Sequence, residues 1–131
     1  MSTAEENAQA VRAGYAAFAA GDMPAVARVL SPDIVWHMAG RSPLAGTYHG
    51  LQEVSAYLAK LMELTEGSYA IEVHDVLASA DRVVVLVQET GQRGESRLAA
   101  DEAHVWRMAG GMATEFRAYR EDGEAVDAFW S

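Results

Sequence analysis

The second half of the chain is a series of β-prone segments separated by short turns, and this arrangement constrains the fold more than any other feature. Its most strand-like run is Val83-Val84-Val85-Leu86-Val87, in which β-branched residues predominate. The turns include Ser79-Ala80-Asp81 and Ala109-Gly110-Gly111. Connections this short join antiparallel neighbours, because a parallel pair needs a long crossover. We therefore predict four antiparallel strands, at about Tyr69 to Leu77, Arg82 to Thr90, Arg97 to Met108 and Met112 to Tyr119.

The first part of the chain has the signals of helices instead. A helix is predicted from about Ala4 to Ala20, and Thr3 and Glu6 have the spacing of a capping box at its start. Gly21 suits the left-handed residue that ends a helix. Asp22 then caps a second, shorter helix, because its side chain can accept from backbone donors of the first turn.

One more strand and a third helix complete the predicted elements. Ile34 to Met38 is predicted as a strand, Ala39 to Gly46 as a loop and Leu51 to Thr65 as an amphipathic helix. The acidic tail, Glu121 to Ser131, contains apolar residues and is expected to pack. This order predicts one α+β domain over residues 1–131, with helices on one face of a curved, mostly antiparallel sheet. Such a sheet forms a cone with an apolar interior.

Charge and residue usage narrow the function. Ten Lys and Arg against nineteen Asp and Glu give a formal net charge of −9, which disfavours binding to nucleic acid. The chain has no cysteine, which excludes thiolate catalysis and cysteine-based zinc sites. The acidic start is unlike a secretory signal, and no apolar run approaches the ~20 residues that cross a bilayer. We expect a cytoplasmic protein without a membrane partner.

Five local strings follow the order of one known group of proteins. They are Tyr15-Ala-Ala-Phe-Ala-Ala-Gly-Asp22, Pro32-Asp-Ile-Val-Trp-His37, Gly40-Arg-Ser-Pro-Leu-Ala-Gly46, His104-Val-Trp-Arg107 and Thr114-Glu-Phe-Arg-Ala-Tyr119. In these strings, over essentially its whole length, the chain resembles the nuclear-transport-factor-2-like superfamily, and within it the SnoaL-like polyketide cyclases and ketosteroid-isomerase-like proteins. The resemblance implies a cone-shaped, cystatin-like fold with the sheet wrapped around three N-terminal helices. It leaves the chemistry open, because the superfamily includes isomerases, cyclases, hydrolases and plain binding domains.

Position by position, the resemblance implies an altered site. The isomerases carry a hydrogen-bonding Tyr where this chain has Gly14, and Tyr15 is its neighbour. Their general-base Asp matches Met38, and their second, protonated Asp matches His104. The cyclases place an acidic acid/base residue just after the last strand, where this chain has Glu121–Asp122. The isomerase mechanism is therefore not expected here.

His104 is the main catalytic candidate. Strand alternation predicts that Trp106 and Met108 share its inward face, so the imidazole is desolvated, neutral near pH 7 and able to donate or accept a proton. The alternative is a structural His bonded to a backbone group. Glu121 or Asp122 is a second acid/base candidate if its carboxylate folds against apolar side chains; the alternative is a solvated acidic tail.

Other side chains are predicted to line the cavity. Alternation lets only one of His37 and Met38 face it, with the other at the rim. Helical spacing explains Tyr15 and Tyr57 equally well as core residues. We expect Phe129–Trp130 to cover the cavity. The predicted ligand-binding residues are Tyr15, Trp36, His37, Met38, Tyr57, Trp106, Met108, Tyr119, Phe129 and Trp130.

Two functional hypotheses remain. The four His lack metal-ligand spacing, so we expect neither a metal nor a cofactor. The first hypothesis is an enzyme that performs acid–base chemistry, of isomerase, cyclase or hydrolase type, on a hydrophobic carbonyl-bearing or polycyclic small molecule. The second is a module of the same fold that binds small molecules or dimerises without catalysis.

A homodimer is also predicted. Val84 and Leu86 alternate with Val83, Val85 and Val87, so both faces of this strand are apolar. Helices cover one face, and we expect a second copy to cover the other.

Overall fold

The computed structural model describes residues 3–131 as helices followed by a six-stranded sheet. The elements are α1 (Ala4–Ala19), α2 (Met23–Val29), β1 (Leu30–Met38), β2 (Gly46–His49), α3 (Gly50–Leu64), β3 (Ala70–Ala78), β4 (Arg82–Arg93), β5 (Ser96–Ala109), β6 (Met112–Arg120) and α4 (Gly123–Trp130). No helix among these residues has the length and apolar character needed to span a bilayer. The predicted α+β class is confirmed.

The strand order across the sheet is β2-β1-β6-β5-β4-β3. The four strands β3 to β6 form antiparallel pairs in sequence order, as predicted. The sheet is nevertheless mixed, because β1 runs parallel to β6. Strand β2 was not predicted: the predicted loop ended at Gly46, and the four residues Gly46–His49 pair antiparallel with β1 at the edge of the sheet.

The predicted helix signals act as expected. The Thr3 hydroxyl accepts from the backbone of Glu6 at 3.1 Å, and the Glu6 carboxylate accepts from the backbone of Thr3 at 3.0 Å. Gly21 follows α1 with a φ of +72°, which a residue with a side chain rarely adopts. The Asp22 carboxylate accepts from the backbone of Ala25 at 3.2 Å and caps α2. These local contacts place α1 and α2 over one face of the sheet.

The acidic tail forms a helix that the sequence analysis did not predict. The Asp122 carboxylate accepts from the backbone of Ala125 at 3.1 Å and caps α4. Val126, Phe129 and Trp130 are buried on one side of this helix. An ion pair of 3.0 Å between Arg120 Nη1 and Asp127 Oδ1 holds the helix against the end of β6. The tail packs, as expected.

Strand alternation decides which side chains face the helices. On β4 the buried positions are Val83, Val85, Val87 and Glu89, and on β5 they run with the same period from Leu98 to Met108. A bulge in β3 between Val73 and Asp75 reverses that alternation, so Leu77 faces outward and is 51% exposed. Uninterrupted alternation would put Leu77 on the same face as Tyr69, Ile71 and Val73; the bulge puts it on the opposite face.

Candidate functional site

A cavity lies between the first three helices and the inner face of the sheet. Its free volume is about 70 Å³, whereas a typical ligand pocket has ~300 Å³ or more. A small-molecule ligand must therefore displace flexible side chains of the lining. Met38 is half-buried and is one such side chain. The polar lining side chains gather on one wall: Tyr15, Tyr69, Glu89, Glu102 and His104.

His104 joins two groups of this wall through its two ring nitrogens. The Tyr15 hydroxyl lies 2.6 Å from Nδ1, and Glu102 Oε1 lies 3.0 Å from Nε2. Tyr15 also accepts a hydrogen bond of 3.1 Å from the indole nitrogen of Trp106. Since Tyr15 receives this N–H, its own O–H is free to donate to Nδ1, and the ring then donates from Nε2 to Glu102. His104 thus bonds side chains, not a backbone group.

Two buried carboxyl groups adjoin at the other end of the wall. Glu89 and Glu102 are each 5% exposed and lie diagonally on β4 and β5, where Val87 is the residue opposite Glu102. The Tyr69 hydroxyl donates to Oε2 of Glu89. Oε1 of Glu89 is buried without a donor among residues 3–131, so a proton on this oxygen, shared with Glu102, would satisfy it. Two carboxyls this close and this buried do not both ionise near neutral pH.

Burial shifts the proton affinities of these groups in opposite directions. Burial, with the neighbouring Glu102, raises the pKa of Glu89 to about 8. Burial also raises the pKa of Glu102. It lowers the pKa of His104 to about 4, against the opposing charge of Glu89, so the imidazole is neutral at pH 7. The carboxyl pair, not the His, is therefore the part of this wall that titrates near neutrality.

From Trp106 to Glu102 the hydrogen bonds form one chain in which every donor points the same way. It runs from the Trp106 N–H to Tyr15, from Tyr15 to His104 and from His104 to Glu102. The carboxyl group of Glu102 lies beside that of Glu89, which accepts a hydrogen bond from the Tyr69 hydroxyl. Such a chain holds its members in fixed geometry and offers a route for a proton along the cavity wall.

Several of the predicted site residues come together here. His104 and Trp106 face inward from β5, as alternation predicted. Between His37 and Met38, it is Met38 that faces the cavity. The predicted residues that line the cavity are Tyr15, Trp36, Met38, Tyr57, His104 and Trp106.

The remaining acid and polar candidates lie elsewhere. Glu121 and Asp122 are exposed beyond the end of β6, and the Asp122 side chain caps α4. His37 and Tyr119 point to the outer face of the sheet, because alternation turns them away from their inward neighbours. There His37 Nε2 pairs with Glu115 Oε2 at 3.2 Å, and Tyr119 is 58% exposed.

Three apolar candidates are buried but lie away from the cavity. Met108 faces inward beyond the lining residues, near a bulge between β5 and β6. Phe129 and Trp130 do not cover the cavity, because the tail folds into α4 behind Tyr69. The rings of Trp130 and Tyr69 have centroids 5.9 Å apart. The C-terminal helix thus covers the Tyr69 end of the wall.

Glu89 and Glu102 are the main residues that the sequence analysis missed. Each stands in phase with buried apolar residues: Glu89 follows Val83, Val85 and Val87 at steps of two, and Glu102 precedes His104 by two. A carboxyl group at an inward position of a strand was the available signal. Tyr69 was predicted to begin a strand but was not among the predicted site residues.

The same wall contains the group of side chains best suited to a cation. Glu89, Glu102 and His104 each offer one ligand atom, and these atoms lie within 4.8 Å of one another. The sequence spacing gave no sign of this group, because it forms across two strands. A proton on Oε1 of Glu89, shared with Glu102, together with the hydrogen bonds from Tyr15 and Tyr69, would account for the polar atoms of this group without a cation.

Comparison with known proteins identifies the family to which this chain belongs. A family profile described as a SnoaL-like domain matches residues 11–116. The protein Bal32a, from a soil-derived mobile gene cassette, is 34% identical and superposes with a TM-score of 0.95, covering 98% of each chain. A Xanthomonas campestris protein with a cystatin-like fold is 29% identical, with a TM-score of 0.90 over 95% of this chain and 98% of that one. Rv0034, an uncharacterised protein of Mycobacterium tuberculosis, is 30% identical over 92% of this chain and 93% of its own length.

Fold and site together define a small α+β protein of the cystatin-like, nuclear-transport-factor-2-like class, with a polar wall inside an apolar cavity. Within that class, the chain belongs to the SnoaL-like domain family. The predicted resemblance is confirmed at the level of fold and family.

Proposed function

We propose that this protein is an enzyme that moves protons on a hydrophobic, carbonyl-bearing small molecule, in a reaction of isomerase or cyclase type. The observation that carries the proposal is the pair of buried carboxyl groups, Glu89 and Glu102, at the wall of an apolar cavity; their proximity and burial favour one shared proton. The burial that keeps one carboxyl protonated at pH 7 also makes the other a stronger base than it is in water.

The ionised member of the pair, assigned to Glu102, accepts a proton from the carbon next to the substrate carbonyl. The electron pair of that C–H bond moves towards the carbonyl oxygen and forms an enolate. In a substrate with a C=C bond next to the reacting carbon, return of the proton at the far carbon of the resulting dienolate completes an isomerisation. Alternatively, the enolate carbon attacks a second carbonyl of the same molecule and closes a ring, and the alkoxide that this forms takes the proton back from Glu102. Both outcomes balance without a further reactant.

His104 acts as a positioning residue in this proposal. Both of its ring nitrogens are occupied, and its lowered pKa keeps it neutral at pH 7. It fixes the orientation of the Glu102 carboxylate and connects it to Tyr15. His104 itself was predicted to donate or accept the proton; here Glu102, to which it is hydrogen-bonded, accepts the proton instead.

Proton exchange provides a test that needs no knowledge of the natural substrate. The probe is 2-tetralone, a neutral bicyclic ketone with acidic hydrogens beside the carbonyl, incubated with the protein in D₂O. We expect the protein to accelerate deuterium incorporation at that carbon, as followed by proton NMR. Asp101→Asn is the matched control, because Asp101 is next to Glu102 on β5 but its side chain faces outward and is exposed. Binding of 2-tetralone with no exchange above the buffer rate would favour the non-catalytic binding module instead.

We also propose that the outer face of the sheet forms a homodimer. Leu77 and Leu86 are 51% and 41% exposed, and Val84 lies between them, opposite Leu77 on β3 and Val105 on β5. An apolar surface that continues over three strands is typical of an interface.

Leu86→Glu should therefore convert a dimer to a monomer, since it brings two like charges to a symmetric contact. Light scattering of the wild type at micromolar concentration should give twice the mass of one chain. Glu5→Gln, an exposed substitution on α1 and so on the helical side of the sheet, should leave that mass unchanged. A wild-type protein with the mass of one chain would contradict the proposal.

A further inference from the structure

The two tryptophans that line the cavity differ in one respect. The indole N–H of Trp106 donates to the Tyr15 hydroxyl at 3.1 Å. The indole nitrogen of Trp36 is buried and has no hydrogen-bond partner among residues 3–131. An indole N–H can donate only, and buried donors in proteins nearly always have an acceptor. Trp36 lines the cavity, and its N–H is a buried donor that residues 3–131 leave without an acceptor. Since the nitrogen has almost no accessible area, a ligand reaches it only by moving lining side chains aside.

The packing around Trp36 holds this donor in place. Its ring stacks on Phe116 with centroids 4.0 Å apart, meets Trp106 edge to face at 5.5 Å and lies 6.1 Å from Tyr57. A ring fixed on three sides cannot turn to find another acceptor. The partner that suits it is an acceptor atom on a molecule inside the cavity.

We propose that the Trp36 N–H binds the carbonyl oxygen of the ligand and so selects neutral ketones over both hydrocarbons and carboxylic acids. This inference rests on the proposed function and specifies the ligand further. A ketone supplies the missing acceptor, whereas a hydrocarbon leaves the donor unpaired. A carboxylate would bring a further negative charge into a cavity that already contains Glu89 and Glu102, and burial disfavours that.

The position of Trp36 also relates the carbonyl to the acid–base wall. Phe116 contacts both Trp36, at 4.0 Å, and His104, at 4.9 Å between ring centroids. A ligand whose oxygen is bound at Trp36 therefore extends along Phe116 towards His104 and its partner Glu102. The same hydrogen bond would stabilise the negative charge that develops on the oxygen when the adjacent carbon loses its proton.

The test compares 2-tetralone with 2-methylenetetralin, in which a CH₂ group replaces the oxygen. The chain has three tryptophans, so the wild type should give three indole N–H signals in a ¹⁵N–¹H spectrum, and Trp36→Phe identifies that of Trp36. We expect the ketone to move the Trp36 signal downfield and the hydrocarbon to leave it without such a shift. Trp36→Phe should weaken ketone binding by about tenfold, the value of one net hydrogen bond, and leave hydrocarbon binding unchanged.

Trp130→Phe serves as the matched control, because Trp130 lies in α4 outside the cavity and should leave both affinities unchanged. Equal effects of Trp36→Phe on the two probes would overturn the inference and leave Trp36 a packing residue. Proton exchange on 2-tetralone with an unmoved Trp36 signal would overturn the inference alone. If 2-tetralone moves neither the Trp36 nor the Trp106 signal and undergoes no exchange, both the inference and the proposed function fail. The Trp36 signal can also be assigned by elimination with Trp106→Phe and Trp130→Phe, so the wild-type measurements do not depend on how well Trp36→Phe folds.

Discussion

Glu102→Gln should lower the rate of deuterium exchange into 2-tetralone by about 100-fold or more, the usual contribution of a positioned general base. Glutamine has the size of glutamate and can still accept the hydrogen bond from His104, whose Nε2 lies 3.0 Å from Oε1 of Glu102. It cannot take up the proton that the reaction removes. The measurement is the NMR exchange rate at saturating ketone and pH 7.

Two observations would separate this expectation from a general loss of structure. Asp101→Asn, one residue earlier on the outer side of β5, should retain the wild-type rate. The Glu102→Gln variant should still bind 2-tetralone, as reported by the indole signals of the cavity tryptophans. A variant that binds the ketone and exchanges it at the wild-type rate would show that Glu102 is not the base.

Glu89→Gln should remove a pH dependence of stability between pH 6.5 and 8. Glu89 has a pKa of about 8 in the folded protein and 4.5 as the ordinary value, so between these values the folded state holds a proton that the unfolded state has lost. Stability therefore falls as the pH rises through this window and levels off above pH 8. His104 acts in the opposite direction, because its pKa falls from 6.5 to about 4 and the unfolded state binds the extra proton.

Between pH 4.5 and 6.5, Glu89 and His104 change the free energy of unfolding in opposite directions. Above pH 6.5 only the contribution of Glu89 still varies with pH. From pH 6.5 to 8 we expect the free energy of unfolding to fall by about 2 kcal/mol in the wild type. Urea unfolding at both pH values and one protein concentration measures this change. The slope should flatten in Glu89→Gln and persist in Asp101→Asn; an equal slope in all three proteins would rule out Glu89 as its source.

The parts of the fold that depend on local signals could be predicted from the sequence. The Thr3–Glu6 capping box, the left-handed Gly21 and the Asp22 cap each involve residues within a few positions of one another. The antiparallel strands β3 to β6 follow from short turns in the same way. The parallel pairing of β1 with β6 joins residues about 80 positions apart, such as Trp36 and Phe116, and no local pattern specifies it.

The site was predictable only in part, for a related reason. Alternation from Trp106 correctly turned His104 inward, because both belong to one strand. The partners of His104 come from α1 and from a second strand, and the importance of Glu89 arises only where β4 and β5 bring it beside Glu102. The tail was misread because its carboxylates looked like catalytic candidates, while Asp122 in fact begins α4.

The common direction of the hydrogen bonds from Trp106 to Glu102 limits the kind of turnover that suits this cavity. If a proton were passed along Tyr15 and His104 to Glu102, the hydrogen bonds would reverse: His104 would donate to Tyr15, and the Tyr15 O–H would point towards the N–H of Trp106, which is itself a donor. Tyr15 and His104 would have to return to their original hydrogen-bond directions before a second proton could pass the same way. A reaction in which Glu102 removes a proton and returns one to the same molecule leaves these hydrogen bonds in their original directions. Rearrangement within one substrate therefore fits this wall better than a reaction with a net export of one proton in every cycle. Deuterium exchange on 2-tetralone meets the same condition, because each proton that leaves is replaced by a deuteron that enters.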